Sequence, residues 1–179
     1  IGRLTSLPGY KEGEWYIQDN SSALVVDVLD PKEDENIIDL CAAPGTKTIR
    51  MAIRMNNSGQ IISLDTNSSR LQKIYENCYR MRLSNVKICK ADGRDFKLDK
   101  NTFINKILID APCSNTGVLR KRADARWNKT SDDIKKLSQL QLELLTNASN
   151  LIFPEGIIVY SVCSIEEEEG IEVIKSFLN

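Results

Sequence analysis

Two cysteines stand in surroundings that core cysteines lack. Cys113 follows Asp110-Ala111-Pro112, the end of an apolar run, and opens the polar loop Ser114-Asn115-Thr116-Gly117. Cys163 lies between the apolar run 157–162 and a Ser164/Glu167 pair with capping-box spacing, so a helix is expected just beyond it. A thiolate is a strong nucleophile, and a helix N-terminus lowers a thiol's pKa. The chain has no histidine, which excludes Ser-His and Cys-His nucleophiles and His-ligated metals. Forming a thiolate at Cys113 or Cys163 therefore falls to the helix dipole, to Lys47 or to a bound cation. Cys78 and Cys89 read as core filling.

A second group of residues suits a cofactor. Asp39-Leu40-Cys41-Ala42-Ala43-Pro44-Gly45-Thr46-Lys47-Thr48 follows the short apolar run Ile37-Ile38 and precedes a helix expected over 48–55. Small residues let a ligand approach the backbone, and a helix start offers unpaired N–H groups. The dinucleotide pattern G-x-G-x-x-G is absent, since only Gly45 is present, so NAD is not the first expectation. Asp65 lies 20 residues after Gly45, at the end of the next apolar run, where an acid fits bonding to ribose hydroxyls. Its structural alternative is capping a helix that starts near Ser68. Asp92, beside Gly93, has two equal readings: acceptor for an adenine amino group, or shaper of a turn.

These groups need a scaffold. Strands are expected over 37–40, 60–65, 86–89, 106–110 and 157–162, from apolar runs bounded by turn residues. Helices are expected from Asn20 or Ser21 to Leu29, from Ser68 or Ser69 to about Met81, from a Thr130/Asp133 capping box through Ala148, and from Ser164 towards Phe177. The first would bury Ala23, Leu24, Val28 and Leu29. Alternating strands and helices imply an α/β fold, a mostly parallel sheet with helices on both faces. Ligands in such sheets sit at the carboxyl ends of strands, and Asp39, Asp65, Asp92, Asp110, Cys113 and Cys163 all fall there. The division expected is 1–30, an aromatic N-terminal flap and helix, packed on a catalytic domain over 31–179.

The totals narrow the class. Apolar residues are 41% and charged residues 27%, the balance of an ordinary globular chain. No run reaches membrane-spanning length. Five cysteines with no C-x-x-C pair argue against a disulfide framework or zinc site, so a cytoplasmic protein without bound metal is expected. Net charge is −1, so contact with nucleic acid must come from a local patch or another domain. Such a patch exists directly after the Cys113 loop: Arg120, Lys121, Arg122 and Arg126 with Trp127 interleaved, suited to phosphate and base contact. The glutamates at 166–169 read as a helix's first turn offsetting its dipole.

Together these motifs resemble the Sun/RsmB branch of the RNA cytosine-5 methyltransferases, which use S-adenosylmethionine. The resemblance covers nearly the whole chain, through Leu7-Pro8-Gly9-Tyr10, Gln18-Asp19-Asn20-Ser21-Ser22, Asp39 to Thr48, Asp110 to Gly117, and Tyr160-Ser161-Val162-Cys163-Ser164. It implies a Rossmann-like class I methyltransferase fold. It implies cofactor contacts from Cys41, Ala42, Ala43, Pro44, Gly45, Thr46 and Lys47, and from Asp65, Asp92 and Asp110. It assigns the nucleophile to Cys163 and an assisting, product-release role to Cys113; the chemistry then expects Asp110, protonated or hydrogen-bonded, at the base's N3, with Lys47 assisting. Four positions depart from the family's usual residues: Thr46 for glycine, Val162 for threonine, Ala123 for proline and Gly170 for asparagine. None of these removes a reacting group.

The resemblance also implies parts beyond this sequence, an RNA-recognition domain before Ile1 and a final strand hairpin after Asn179. The expected activity is transfer of a methyl group to carbon-5 of a cytosine in RNA, with small-subunit rRNA the first substrate and tRNA the alternative. A non-catalytic cofactor-binding or RNA-binding module is the contrasting expectation. A DNA cytosine methyltransferase would instead use Cys113 as nucleophile.

Overall fold

Among the described residues, five strands form one parallel sheet: Asn36–Asp39 (β1), Gln60–Asp65 (β2), Val86–Lys90 (β3), Lys106–Asp110 (β4) and Ile157–Ser161 (β5). The computed structural model describes residues 4–99, 102–120, 127 and 129–179. Strand order is β3-β2-β1-β4-β5, so the chain steps outward from β1 to β3 and then restarts on the other side of β1. The crevice above the β1–β4 boundary is the place where such sheets bind ligands. Ile107, Leu108 and Ile109 are all 0% exposed, which is why β4 reads as an unbroken apolar run rather than an alternating one.

Helices cover both faces. Asn20–Leu29 (α1) and Thr46–Arg54 (α2) pack Val26, Leu29, Met51, Ala52 and Met55 against Ile37, Ile61 and Leu108. Ser68–Arg80 (α3) adds Leu71, Ile74 and Cys78 against Ala42 and Ala43. On the opposite face, Ser131–Leu151 (α4) and Ile171–Leu178 (α5) pack Leu144, Leu145, Ala148 and Val173 against Ile38, Ile62, Ile107 and Ile109. Consecutive residues of β1 thus serve opposite cores, as the strand period requires.

Local signals explain most helix starts. Thr130 and Asp133 form a complete capping box on α4, and Asn67 caps α3 by accepting from the Arg70 N–H at 3.0 Å. Three expectations need correction. Asp19, not Asn20 or Ser21, caps α1, accepting the Ser21 N–H at 3.0 Å. α1 buries Val26 and Leu29, while Leu24 and Val28 are 61% and 65% exposed. The inward face is the Val25, Val26 and Leu29 stripe, which packs with α2 against Ile37, Ile61 and Leu108 of the sheet. Third, Ser164 and Glu167 do not cap a helix. Ser164 accepts the Glu166 N–H in a tight turn, a short 3-10 turn spans Glu167–Glu169, and α5 begins only at Ile171.

Among the described residues, Arg80 ties the segment before α1 to α3. Arg80 Nη1 donates to the Tyr10 carbonyl at 2.5 Å and the Trp15 carbonyl at 2.9 Å, and its guanidinium lies 4.1 Å from the Tyr10 ring centre. Gln18 then reaches the Thr46 carbonyl at the start of α2, at 3.3 Å.

Candidate active site

The loop between β1 and α2 is built tightly against α3. Gly45 caps α2 with φ +98, and a Cβ there would meet Ile74 Cγ1 at 2.8 Å, so only glycine suits the position. Its neighbour Ala43 follows the same economy of space, joined to Pro44 by a cis peptide. Thr46 opens α2, two residues earlier than the sequence pattern predicts, and lies beyond the glycine turn. Beneath the loop, Asp39 is 1% exposed and accepts from Thr48 Oγ1 at 2.7 Å. Burial pushes its pKa to about 7 despite that bond. Burial also raises the Cys41 thiol, which favours its neutral form.

The acids at the strand ends each have defined partners. Asp65 accepts the Ala43 N–H at 3.2 Å and the Asn67 N–H at 2.9 Å, so it braces the cap of α3 without being the cap. Arg70 reaches over the same point, donating to the Ala43 carbonyl and standing 3.7 Å from Asp65. Asp92 accepts the Arg94 N–H at 3.0 Å and shapes a turn, and the Arg94 guanidinium holds its carboxyl below the usual carboxylate range. Arg94 also pairs with Glu143 on α4 at 3.2 Å. Asp110, at the end of β4, receives Lys47 Nζ at 2.5 Å on one oxygen and Ser161 Oγ at 2.8 Å on the other.

The two cysteines meet. Cys113 Sγ and Cys163 Sγ are 3.1 Å apart, and Cys163 Sγ is also 3.0 Å from Asn115 Oδ1. Because Asp110 pairs with Ser161 in register, the residues three and two places beyond them emerge side by side. The Cys163 thiol is lowered to about 7, first by donation from Cys113 and more weakly by Lys47, against burial and the Asp110 charge. Cys113 is correspondingly raised and keeps the proton it donates. No α-helix starts directly after Cys163, where the sequence pattern predicts one: a 3-10 turn spans Glu167–Glu169 and the α-helix begins at Ile171. Cys78 sits in the core, 6% exposed and pushed up to about 11 by burial, as a filler cysteine should be.

Asn115 and Glu169 were not legible as site residues. Asn115 has φ +65, ties Nδ2 to the Cys113 carbonyl at 2.9 Å and presents its oxygen to Cys163. Its place in the polar loop was its only signal. Glu169, read from sequence as one of the first-turn acids that offset a helix dipole, is 0% exposed and bonded to the loop that carries Cys113. Of the basic run, Arg120 is exposed and Trp127 is 82% exposed. Lys121, Arg122 and Arg126 lie outside the described residues.

The arrangement suits a nucleoside carrying a charged group. The β1–α2 loop lies beside carboxylates that accept hydrogen bonds, and Asp65, with two N–H donors, has further acceptor capacity for hydroxyls. Asp92 is more fully engaged by Arg94, which any amino group placed there must share. Among the described residues, no cluster of three or more cysteine or acidic side chains is set to hold a metal ion.

Sheet order, glycine loop and strand-end acids define a class I S-adenosylmethionine-dependent methyltransferase. A family model described as 16S rRNA methyltransferase RsmB/F matches residues 26–179, and the chain belongs to that family. It is 38% identical to the probable ribosomal RNA small subunit methyltransferase B of Bacillus subtilis (strain 168), over 99% of this chain and 40% of that protein. The crystal structure of PH0851 superposes with a TM-score of 0.95 at 36% identity, covering 100% of this chain and 41% of that one. NSun6 from Pyrococcus horikoshii, in a structure with SFG, gives 0.88 at 34% identity, over 99% and 45%. SFG is an S-adenosylmethionine analogue. The chain thus spans about 40% of the length of the curated relatives it matches.

Proposed function

We infer that this chain carries the catalytic centre of an RNA cytosine-5 methyltransferase acting on small-subunit rRNA, with Cys163 as nucleophile. The observation that carries the reading is the Cys113–Cys163 contact at 3.1 Å, which lowers the thiol of Cys163 and not that of Cys113. The printed names of the relatives support rRNA as substrate. We place the protein in the cytoplasm, with residues 1–30 as a flap on a catalytic domain over 31–179.

Carbon-5 of cytosine is a poor nucleophile. Addition of the Cys163 thiolate to carbon-6 moves the ring's π electrons towards N3 and makes carbon-5 enamine-like. At the N3 side of the ring, where negative charge develops, Asp110 is suited to make the contact through a shared proton, with the Lys47 ammonium beside it supplying positive charge. Residues 41–47, Asp65 and Asp92 would hold S-adenosylmethionine, which supplies an electrophilic sulfonium methyl when bound. Once carbon-5 is methylated, loss of its proton restores the carbon-5–carbon-6 double bond and expels the Cys163 thiolate. Cys113 keeps its own proton at rest; giving that proton to the departing Cys163 sulfur leaves a Cys113 thiolate suited to take the carbon-5 proton. The target base must be unstacked or flipped, since a stacked cytosine cannot be approached from above carbon-6. Exposed Trp127 and Arg120 are suited to that RNA, together with Lys121, Arg122 and Arg126.

Incubating full-length protein with labelled S-adenosylmethionine and unmodified small-subunit rRNA should yield 5-methylcytosine by mass spectrometry. Methyl transfer at full rate by Cys163→Ala would overturn the role given to Cys163.

A further inference from the structure

Glu169 is completely buried, whereas its neighbours Glu167 and Glu168 are exposed. A carboxylate removed from water is costly unless it is paired or well bonded. Among the described residues no lysine or arginine forms an ion pair with it; neutral donors hold it instead. The Ser114 N–H donates to Oε1 at 2.8 Å, Gln141 Nε2 donates to Oε1 at 3.1 Å, and Ser114 Oγ donates to Oε2. Gln141, itself 0% exposed on α4, also donates to the Pro112 carbonyl at 2.9 Å. One buried acid therefore grips the loop on both sides of Cys113.

Proton counting gives this grip a direction. A serine hydroxyl has one proton, and Ser114 gives its proton to Glu169. The 3.1 Å contact between Ser164 Oγ and Ser114 Oγ then requires Ser164 to donate. Thr116 Oγ1 in turn lies 3.1 Å from Ser164 Oγ and can donate to it. Thr116, Ser164 and Ser114 form an oriented chain ending on Glu169, and such chains strengthen one another. Ser114 directly follows Cys113, and Ser164 directly follows Cys163. The Gly117 N–H to Cys163 carbonyl bond, at 3.1 Å, closes the same seam.

We propose that Glu169 is a positioning residue, whose carboxylate locks Ser114 to Ser164 and thereby keeps Cys113 Sγ in donating reach of Cys163 Sγ. This rests on Cys163 being the nucleophile of the reaction inferred above. A glutamine at 169 keeps the shape but turns one oxygen into a donor. It would then face Ser114 N–H, Ser114 O–H and the Gln141 amide, all donors, and the oriented chain would have to reverse or break.

The sign of the effect separates positioning from charge. Charged or titratable groups acting on Cys163 are Cys113, Asp110 and Lys47. Removing a buried negative charge would by itself lower a nearby thiol's pKa. Loosening Cys113 would raise it. In the full-length protein, alkylation of Cys163 by iodoacetamide, followed by peptide mass spectrometry, reads this without RNA. With Glu169→Gln, the midpoint near pH 7 should move up by about one unit or more, since one unit is the scale of a single lost interaction. The dissociation constant for S-adenosylmethionine should change less than about twofold, because the Glu169 carboxylate bonds Ser114 and Gln141 and not residues 41–47, while kcat falls roughly 10²-fold, the scale expected for a reacting group displaced by about 1 Å. A midpoint that stays or falls, or a loss of cofactor binding in step with kcat, overturns the proposal. If Glu169→Gln does not fold, Ser114→Ala removes the same link and must show the same upward shift. Full activity of Cys163→Ala would instead remove the underlying reaction, and leave the alkylation result readable by itself.

Discussion

Lys47 Nζ on α2 and Asp110 Oδ2 at the end of β4 meet at 2.5 Å, across the boundary where the sheet changes direction. Lys47 is only 13% exposed in its side chain, so this is not a loose surface pair. The same ammonium helps lower the Cys163 thiol, while Asp110 opposes it. One contact thus ties the cofactor loop to the thiol chemistry.

Lys47→Met should disturb both. The Asp110 charge, no longer balanced, raises the Cys163 thiol, and the N3 side of the base loses its nearest cation. We expect kcat to fall about 10²-fold, the scale for removing one electrostatic stabiliser. Single-turnover rates on rRNA check this, with Lys47→Arg recovering part of the loss.

Cys113 and Cys163 should separate by phenotype. Cys163→Ala should form neither product nor adduct. Cys113→Ala should accumulate a covalent RNA adduct, visible as a gel shift that survives denaturation. Losing the largest lowering influence on Cys163 should also move its alkylation midpoint from about 7 towards the ordinary value of 9.0. An unchanged midpoint would show that the thiol contact does not tune the nucleophile.

At Gly45 an added methyl group faces two obstacles. The φ of +98 is strained for any side chain, and Ile74 stands 2.8 Å from the new carbon. Gly45→Ala should lose about 1–3 kcal/mol in urea unfolding. Titration calorimetry should show weaker S-adenosylmethionine binding, since the loop must shift to relieve Ile74.

Asp39 makes stability depend on pH in an unusual direction. Its folded pKa, about 7, lies above the ordinary 3.8, so the folded state retains a proton that the unfolded chain has lost. Its contribution is fully present below pH 3.8 and disappears as pH rises through about 7. Across that window the group accounts for about 4 kcal/mol of decline, at 1.36 kcal/mol for each unit. Asp39→Asn should flatten the slope of unfolding free energy between those pH values. A slope identical to wild type would show that Asp39 is ionised in the fold.

Much of the scaffold is legible in the sequence because parallel strands are buried on both faces. The run 106–110 needs no periodicity to declare itself, and β2 and β4 begin and end where their apolar runs do. Residues that could do chemistry were equally visible, since cysteine and aspartate are scarce at strand ends without reason. What escaped depends on distant partners. Glu169 looks like three solvated neighbours, and only Ser114, 55 positions away, and Gln141, 28 away, reveal its burial. A helix start at Ser164 and Glu167 is one of three sources of activation that the sequence offers for Cys163, beside Lys47 and a bound cation. Ser164 instead spends its hydroxyl on Ser114 and Glu166, so a local pattern lost to a tertiary one. The inward face of α1 has the same origin.

The Asp110↔Ser161 register between β4 and β5 has a bearing on how the chain is made. Cys113 and Cys163 are 50 positions apart, and β4 is complete long before β5 leaves the ribosome. Until β5 docks, each cysteine is an ordinary thiol, slow towards electrophiles and oxidants at neutral pH. A slip of one residue would turn Cys163 to the wrong side of the sheet. Nucleophilicity therefore arrives only with correct assembly, and the rate of Cys163 labelling doubles as a timer for the docking of β5 on β4.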